Sequence, residues 1–317
     1  MNLRLLVIVL CHNGLDLTLD CLTSLEEQAG GPYWVLVVDS ASQDGTAETV
    51  RRQFPGVEVI RSEENIGYAA GNNLGLRYGV EKGADLFLLL NNDTLLERDC
   101  LQSLMASADS HPRAGMLGPM VYTWGEGMTI SSAGGRIDWE HADAVNVGAG
   151  EADKGQYGPR SVDFLNGCGL LVTREAVEKA GLLDERYFMY WEETDWCTRV
   201  RRAGLELRFE PGARIRHKAP IRSVELGPVP LYYMTRNRML FFSTHAPGLR
   251  RLKAILHAYH GAWLGLRRER IRGRKRHARA IEQGLFDAAT RRWGRLAAAG
   301  WAIDRILVPM PWPTPAE

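Results

Sequence analysis

Cysteine is scarce and scattered. Cys11, Cys21, Cys100, Cys168 and Cys197 are five in 317 residues, an odd number with no CxxC pair. This excludes a disulfide-stapled scaffold and a thiolate zinc site, and points to free thiols in a reducing cytoplasm. Long apolar runs are also missing. None reaches the ~18 residues needed to span a bilayer. The late stretch Leu296–Val308 is broken by Asp304 and Arg305, and Leu3–Leu10 is followed by no small-residue cleavage site. Neither a spanning helix nor a secretory leader is expected. A GxGxxG after the first apolar run and a GxxxxGK[ST] anywhere are likewise lacking, which excludes the dinucleotide fingerprint and the P-loop.

What remains is an ordinary globular composition, 45% hydrophobic and 24% charged, of a length for one large domain or two smaller ones. The net charge of +1 conceals an asymmetry. Residues 236–305 hold seventeen cations against four acids, a net of +13, which leaves −12 for the rest. Two regions with different electrostatic tasks share one chain.

Apolar runs alternate with helical periodicity over the first ~110 residues, which argues for βα units around a mainly parallel sheet. Strands are expected at Leu5–Leu10, Val35–Val38, Val57–Ile60 and Leu86–Leu90, and helices at Leu15–Gln28, Thr46–Gln53, Ala69–Lys82 and Leu96–Ser110. Glycine-rich Trp124–Arg160 reads as short strands and loops. Helices follow at Arg174–Lys179 and Thr194–Arg202, then two short strands, Leu205–Glu210 and Arg214–His217, around a Pro211-Gly212 turn. Beyond Leu231 everything reads as helix. The expected organisation is a catalytic domain over residues 1–230, with halves of about 1–115 and 116–230, and a basic helical region over 231–317.

Polar residues cluster where the strands end, the place where open α/β sheets bind ligands. The first strand runs into Cys11-His12-Asn13, the second into Asp39-Ser40, the fourth into Asn91-Asn92-Asp93. A carboxylate at a strand end can take hydrogen bonds from a ribose or a base, or simply shape a turn. Asp44, just before Gly45, suits a helix cap. Asn65-Ile66-Gly67-Tyr68-Ala69-Ala70-Gly71-Asn72 opens a helix whose N-terminus can attract phosphate. Asp93, leaving a buried strand, can bind Mg²⁺ or Mn²⁺ shared with a diphosphate. The acids Glu192, Glu193 and Asp195 follow Tyr187-Phe188-Met189-Tyr190-Trp191. Carboxylates crowded beside aromatics are partly desolvated, which raises pKa values toward those of a working base. His217 ends a short strand and carries no ligand signal by itself.

Taken in order, Val7–Asn13, Val37–Thr46, Asn65–Asn73, Leu89–Thr94, Phe164–Gly169 and Phe188–Cys197 resemble family 2 glycosyltransferases, most closely the rhamnosyltransferase-like branch that builds bacterial surface polysaccharides. The resemblance spans roughly Leu5–Phe242. It implies a GT-A fold and inverting transfer of a sugar from a dTDP-, UDP- or GDP-linked donor to a glycan or polyprenol-linked acceptor. By the same resemblance Cys11, His12, Asn13, Asp39, Asn65, Gly67, Gly71, Asn72, Asn91 and Asn92 surround the donor. Asp93 and His217 hold a divalent cation, and Glu193 matches the catalytic base. Asp195 is the second choice for that base, with Glu192 beside it. Asn166, Gly167 and Trp191 face the acceptor. Asn91 replaces an aspartate common in relatives, which leaves one carboxylate in the metal motif.

Two other readings compete. A nucleotidyltransferase needs a glycine-rich, Arg/Lys-bearing loop after the first strand, where this chain has Cys11-His12-Asn13-Gly14. A non-catalytic sugar-nucleotide binder on the same fold would have no use for the acid cluster. The basic region lacks the patterns of nucleic-acid binders. Leu252, Ile255, Leu256, Tyr259, Trp263 and Leu266 recur there at helical spacing, which suits an in-plane membrane helix on an anionic surface or a homodimer interface. The expected location is cytoplasmic, peripheral on the inner face of the membrane.

Overall fold

The computed structural model describes residues 4–29, 31–125, 127–218, 227–248 and 250–296. The first half alternates β1 (Leu5–Cys11), α1 (Leu15–Glu26), β2 (Tyr33–Ser40), α2 (Thr46–Gln53), β3 (Glu58–Ser62), α3 (Gly67–Glu81) and β4 (Leu86–Asn91). There follow β5 (Thr94–Leu96), α4 (Cys100–Ser110), β6 (Ala114–Thr123), β7 (Ile130–Ser132), β8 (Gly135–Asp138), β9 (Asp143–Asn146), β10 (Arg160–Ser161) and β11 (Gly169–Thr173). The chain continues through α5 (Arg174–Ala180), α6 (Glu192–Arg202), β12 (Glu206–His217), α7 (Pro228–His245), α8 (Arg250–Ile271) and α9 (Lys275–Ala289).

The main sheet runs β10-β12-β6-β11-β4-β1-β2-β3, with β5 on β12 and β7 on β6. Strands β4, β1, β2 and β3 are parallel to one another, and β11 enters antiparallel between β4 and β6. Because β2 and β3 lie on one side of β1 and β4 on the other, the order reverses between β1 and β4. A crevice opens there at the carboxyl ends.

Side-chain alternation along buried strands feeds two apolar layers. Leu6, Ile8, Leu36, Val38, Phe87 and Leu89 face one layer; Leu5, Val7, Val9, Val37, Leu86 and Leu88 face the other. Helix α3 seats on the first layer through Gly71, Gly75 and Gly79. A Cβ at these positions would come within 2.4–2.5 Å of Leu10, Ile8 and Leu6 respectively. Glycine every fourth residue brings the α3 backbone close to β1. Met239, Leu240, Phe241 and Phe242 of α7 join the same layer.

Two local expectations are corrected. Leu96 belongs to β5, which pairs with β12, and the helix starts only at Cys100. The two strands expected around Pro211-Gly212 are one strand, β12, whose register shift between Glu210 and Arg214 absorbs the pair as a bulge. The expected apolar stripe of the basic region lies along one helix, α8, with Leu266 buried at one edge and Leu252, Leu256 and Trp263 exposed. The helical expectation for residues 297–317 lies outside the described residues. All five cysteines are buried and free.

Candidate active site

A cavity of about 650 Å³ opens at the switch point. Cys11 and His12 from β1, Ser40 from β2, Asn65, Gly67 and Tyr68 from the start of α3, and Asn91, Asn92 and Asp93 from β4 line it. Strand-end residues reach it because the buried runs stop there and leave polar groups at the rim.

The rim is held by cross-links between neighbouring strand ends. His12 Nδ1 lies 2.6 Å from the Ser40 carbonyl. Ser42 Oγ accepts from the Asn13 amide at 2.8 Å, and Asn13 Oδ1 accepts from Gln43 N at 2.8 Å. Asn92 Nδ2 donates to Thr18 Oγ1 and to the Asn13 carbonyl. Asp44 accepts from the amides of Leu15 and Thr46, tying α1 to α2. Asp39 is fully buried; Oδ1 accepts from Ser42 N, while Oδ2 has no hydrogen bond and faces Arg61 Nε at 3.4 Å. A buried carboxylate oxygen without a hydrogen bond, just behind Ser40, is an acceptor kept in reserve.

Asp93 and His217 come together, Oδ1 to Nε2 at 3.1 Å, with Asn91 Nδ2 3.2 Å from the same nitrogen. Register makes this meeting: His217 at the end of β12 pairs with Thr94 of β5, next to Asp93. Burial alone would raise the Asp93 pKa, but the His217 charge and hydrogen bond hold it below the usual range. Burial likewise opposes a charged His217, yet Cys168 and Asp93 raise its pKa well above normal. Among the described residues no cluster of three or more His, Cys, Asp or Glu side chains suited to a metal occurs. One carboxylate and one imidazole converging beside a cavity fit a hard divalent cation whose remaining positions are filled by substrate oxygens and water.

The acid cluster stands across the Asn166-Gly167-Cys168 turn. Asn166 Oδ1 accepts from Cys168 N and shapes the turn; the Gly167 carbonyl accepts from Tyr68 Oη at 2.6 Å; the Cys168 carbonyl accepts from Asn91 N. A Cβ on Gly167 would lie 3.5 Å from the Glu193 Cβ and 2.7 Å from Tyr68 Oη. Glu193 therefore adjoins Tyr68, which lines the cavity. Glu193 is half-buried in the first turn of α6. Desolvation raises its pKa, tempered by hydrogen bonds from backbone amides and Thr194. Glu192 is only 4% exposed, and its Oε2 has no hydrogen-bond partner. Burial first, and the charge of Glu193 second, push its pKa well up; the two carboxyls titrate as a coupled pair.

Several expected site residues lie elsewhere. Asp195 is buried and committed to His245 Nε2 at 2.6 Å, Arg199 Nε at 2.7 Å and Tyr187 Oη at 3.2 Å. These partners outweigh burial and lower its pKa. It braces α6 against α7. Glu192 is almost wholly buried in the first turn of α6. Trp191 is 6% exposed and packs on Phe241 and Phe242, so it belongs to the core. Gly71 and Asn72 sit inside α3: Gly71 against Leu10, Asn72 fully buried with its amide on the Tyr68 carbonyl. Asn13 and Asp39 stand behind the rim and not on the cavity wall.

Other important residues escaped the sequence reading. Phe188, Met189 and Arg295 line the cavity, and Arg295 Nη1 bonds Glu64 at 2.8 Å. The loop before α6 holds Phe188, Tyr190 and Trp191 at φ of 65°, 65° and 75°. Non-glycine residues rarely adopt this left-handed region. Asn237 of α7, fully buried, anchors the loop. Its Nδ2 lies 2.9, 2.8 and 2.8 Å from the carbonyls of Tyr187, Met189 and Tyr190. Arg236, 1% exposed, donates to the carbonyls of Arg186, Tyr187 and Gly294. A polar Arg-Asn pair amid the apolar residues of α7 was the available signal.

The model for glycosyl transferase family 2 matches residues 6–179. The chain is 28% identical over 221 residues to an N-acetylglucosaminyl-diphospho-decaprenol L-rhamnosyltransferase of Mycobacterium tuberculosis, covering 62% of this chain and 70% of that protein. It is 24% identical over 302 residues to the dTDP-rhamnosyl transferase RfbF of Shigella flexneri, covering 90% and 96%. A mannosyltransferase from Pyrobaculum calidifontis, solved in complex with GDP-Man and Mn2+, superposes with a TM-score of 0.56 at 19% identity over 92% of this chain and 76% of that one. The fold is the expected GT-A arrangement.

Proposed function

The chain belongs to glycosyl transferase family 2, and from that premise we propose that it moves a sugar, rhamnose foremost, from a dTDP-linked donor to a hydroxyl of a glycan or polyprenol-linked acceptor, with inversion. The names of its relatives in Mycobacterium tuberculosis and Shigella flexneri support the sugar, and the former supports a polyprenol-linked acceptor. Such an acceptor sits in a membrane, so the enzyme works at the inner membrane face. One observation carries the reading: a half-buried carboxylate with a raised pKa, Glu193, stands beside Tyr68, which lines the cavity together with Asp93, the partner of His217.

In this mechanism Glu193 takes the proton of the acceptor hydroxyl as its oxygen attacks the anomeric carbon. The bond to that carbon forms on the face opposite the diphosphate, whose own bond to it breaks. Positioned general-base help contributes ~10²–10⁴-fold. Protonated Glu192 behind Glu193 lets a single negative charge reside on the base. His12, Ser40 and Asn65 hold the nucleoside end, and the phenol of Tyr68, fixed on the Gly167 carbonyl, separates donor from acceptor. Asp93 and His217 would hold the divalent cation, which when bound supplies positive charge to the departing diphosphate.

Thermal-shift measurements with dTDP, UDP and GDP, each with Mn²⁺, test the donor assignment. A ligand at 100 times its Kd adds about 2.7 kcal/mol of stability. The largest rise in Tm is expected with dTDP; no rise with any of the three would remove the nucleotide-sugar reading.

A further inference from the structure

Helix α8 turns an apolar face outward. Leu252 is 66% exposed, Leu256 61%, Trp263 47%, Leu264 47% and Ile271 81%. At 100° per residue these five fall within an arc of roughly 120°. The opposite side, Ala254, Ala258, Leu266 and Glu269, is buried. Half of the ten exposed large hydrophobics among the described residues thus lie on one helix face, far beyond the scatter of single apolar residues normal on a surface.

The stretch of chain that carries this face is rich in cations. Residues 250–286 carry eleven Lys or Arg against Glu269 and Glu282 alone. Arg267 stacks over the Trp263 ring at 4.9 Å. A groove of about 300 Å³ is lined by Leu264, Ile271, Arg267, Arg268 and Arg272, the last two also paired with Glu269. Apolar side chains set among arginines are the complement of a lipid with an anionic headgroup.

We propose that α8 docks in the plane of an anionic bilayer, Leu252, Leu256, Trp263, Leu264 and Ile271 entering the headgroup boundary while the arginines engage lipid phosphates. No described helix is long and apolar enough to cross a membrane, so the contact is a surface one. A twofold dimer built on this face would set each cationic stripe against its own copy. Residues 297–317, with one cation and two acids, bring little neutralising charge.

This goes beyond the proposed transfer reaction and is tested without it. The full chain is sedimented with phosphatidylcholine vesicles, with and without phosphatidylglycerol, across a salt series. Wild type should pellet only with the anionic vesicles and be released as salt rises. Leu256→Glu/Ile271→Glu should weaken vesicle binding at least about tenfold, with unchanged Tm and unchanged transfer to a water-soluble acceptor. No binding at low salt, or equal binding by the double variant, overturns the proposal. Velocity sedimentation adds a further check: a wild-type dimer that the double variant turns to monomer assigns the face to a second copy and also overturns it.

Discussion

Replacing Asn237 should damage the enzyme at a distance from any substrate. In Asn237→Ala the Met189 and Tyr190 carbonyls lose their Asn237 partner, whereas Tyr187 keeps Arg236 and the Met189 amide. A buried carbonyl left unpaired costs ~1–3 kcal/mol; with water or a small loop shift relieving part of this, about 2–4 kcal/mol of stability should go. The loop gains by moving, since three left-handed residues cost roughly 1–2 kcal/mol each. Relaxation displaces Phe188 and Met189 on the cavity wall and the α6 N-terminus that carries Glu193. Misplacement by ~1 Å costs ~10²-fold in rate, so kcat at saturating donor should fall about 10- to 100-fold. Asn237→Asp, which sets a carboxylate against carbonyls, should be worse. The assays are urea unfolding and steady-state transfer on the same preparations. An unfolding midpoint unchanged in Asn237→Ala, or a kcat within about twofold of wild type, would refute this reasoning.

Three further outcomes are expected. Glu192 has a folded pKa raised by burial, so its contribution to stability is full below the unfolded value of ~4.3 and is lost as pH rises through the folded value. Glu192→Gln should therefore be more stable than wild type at pH 8 and flatten the urea-midpoint profile between pH 5 and 8, which Glu193 and His217 would still tilt. Asp93→Asn should abolish the gain in nucleoside diphosphate affinity that Mn²⁺ gives over EDTA, read by calorimetry, while metal-free affinity holds. Arg295, the one Lys or Arg on the cavity wall among described residues, should contact the donor diphosphate. Arg295→Ala should weaken diphosphate binding about tenfold and monophosphate binding little; equal losses would deny that contact.

The βα half of the fold was legible because buried parallel strands read as unbroken apolar runs and stop at polar residues. For the same reason His12, Asn91, Asn92 and Asp93 could be placed at one opening before any coordinates. Glycine was harder to read. Gly71 looks like part of a phosphate cradle until Gly75 and Gly79 are seen with it, a four-residue spacing that marks a helix face on a strand. The acid cluster was visible as a cluster, but which carboxylate is left half-buried depends on the left-handed turn at Tyr190 and Trp191 and on Asn237, some 45 residues later. Asp195 looked catalytic because its partner His245 is fifty residues away. Short pairings such as β8 with β9 leave too few residues for a period to show.

The central claim is that Glu193 removes the acceptor proton at a cavity that binds the donor independently. Glu193→Gln keeps the size of the side chain and removes its basicity. Measured together, its donor Kd and its single-turnover transfer rate decide the matter. The account predicts an essentially unchanged Kd with a rate lowered ~10²–10⁴-fold. A variant that still transfers sugar at the wild-type rate would contradict it.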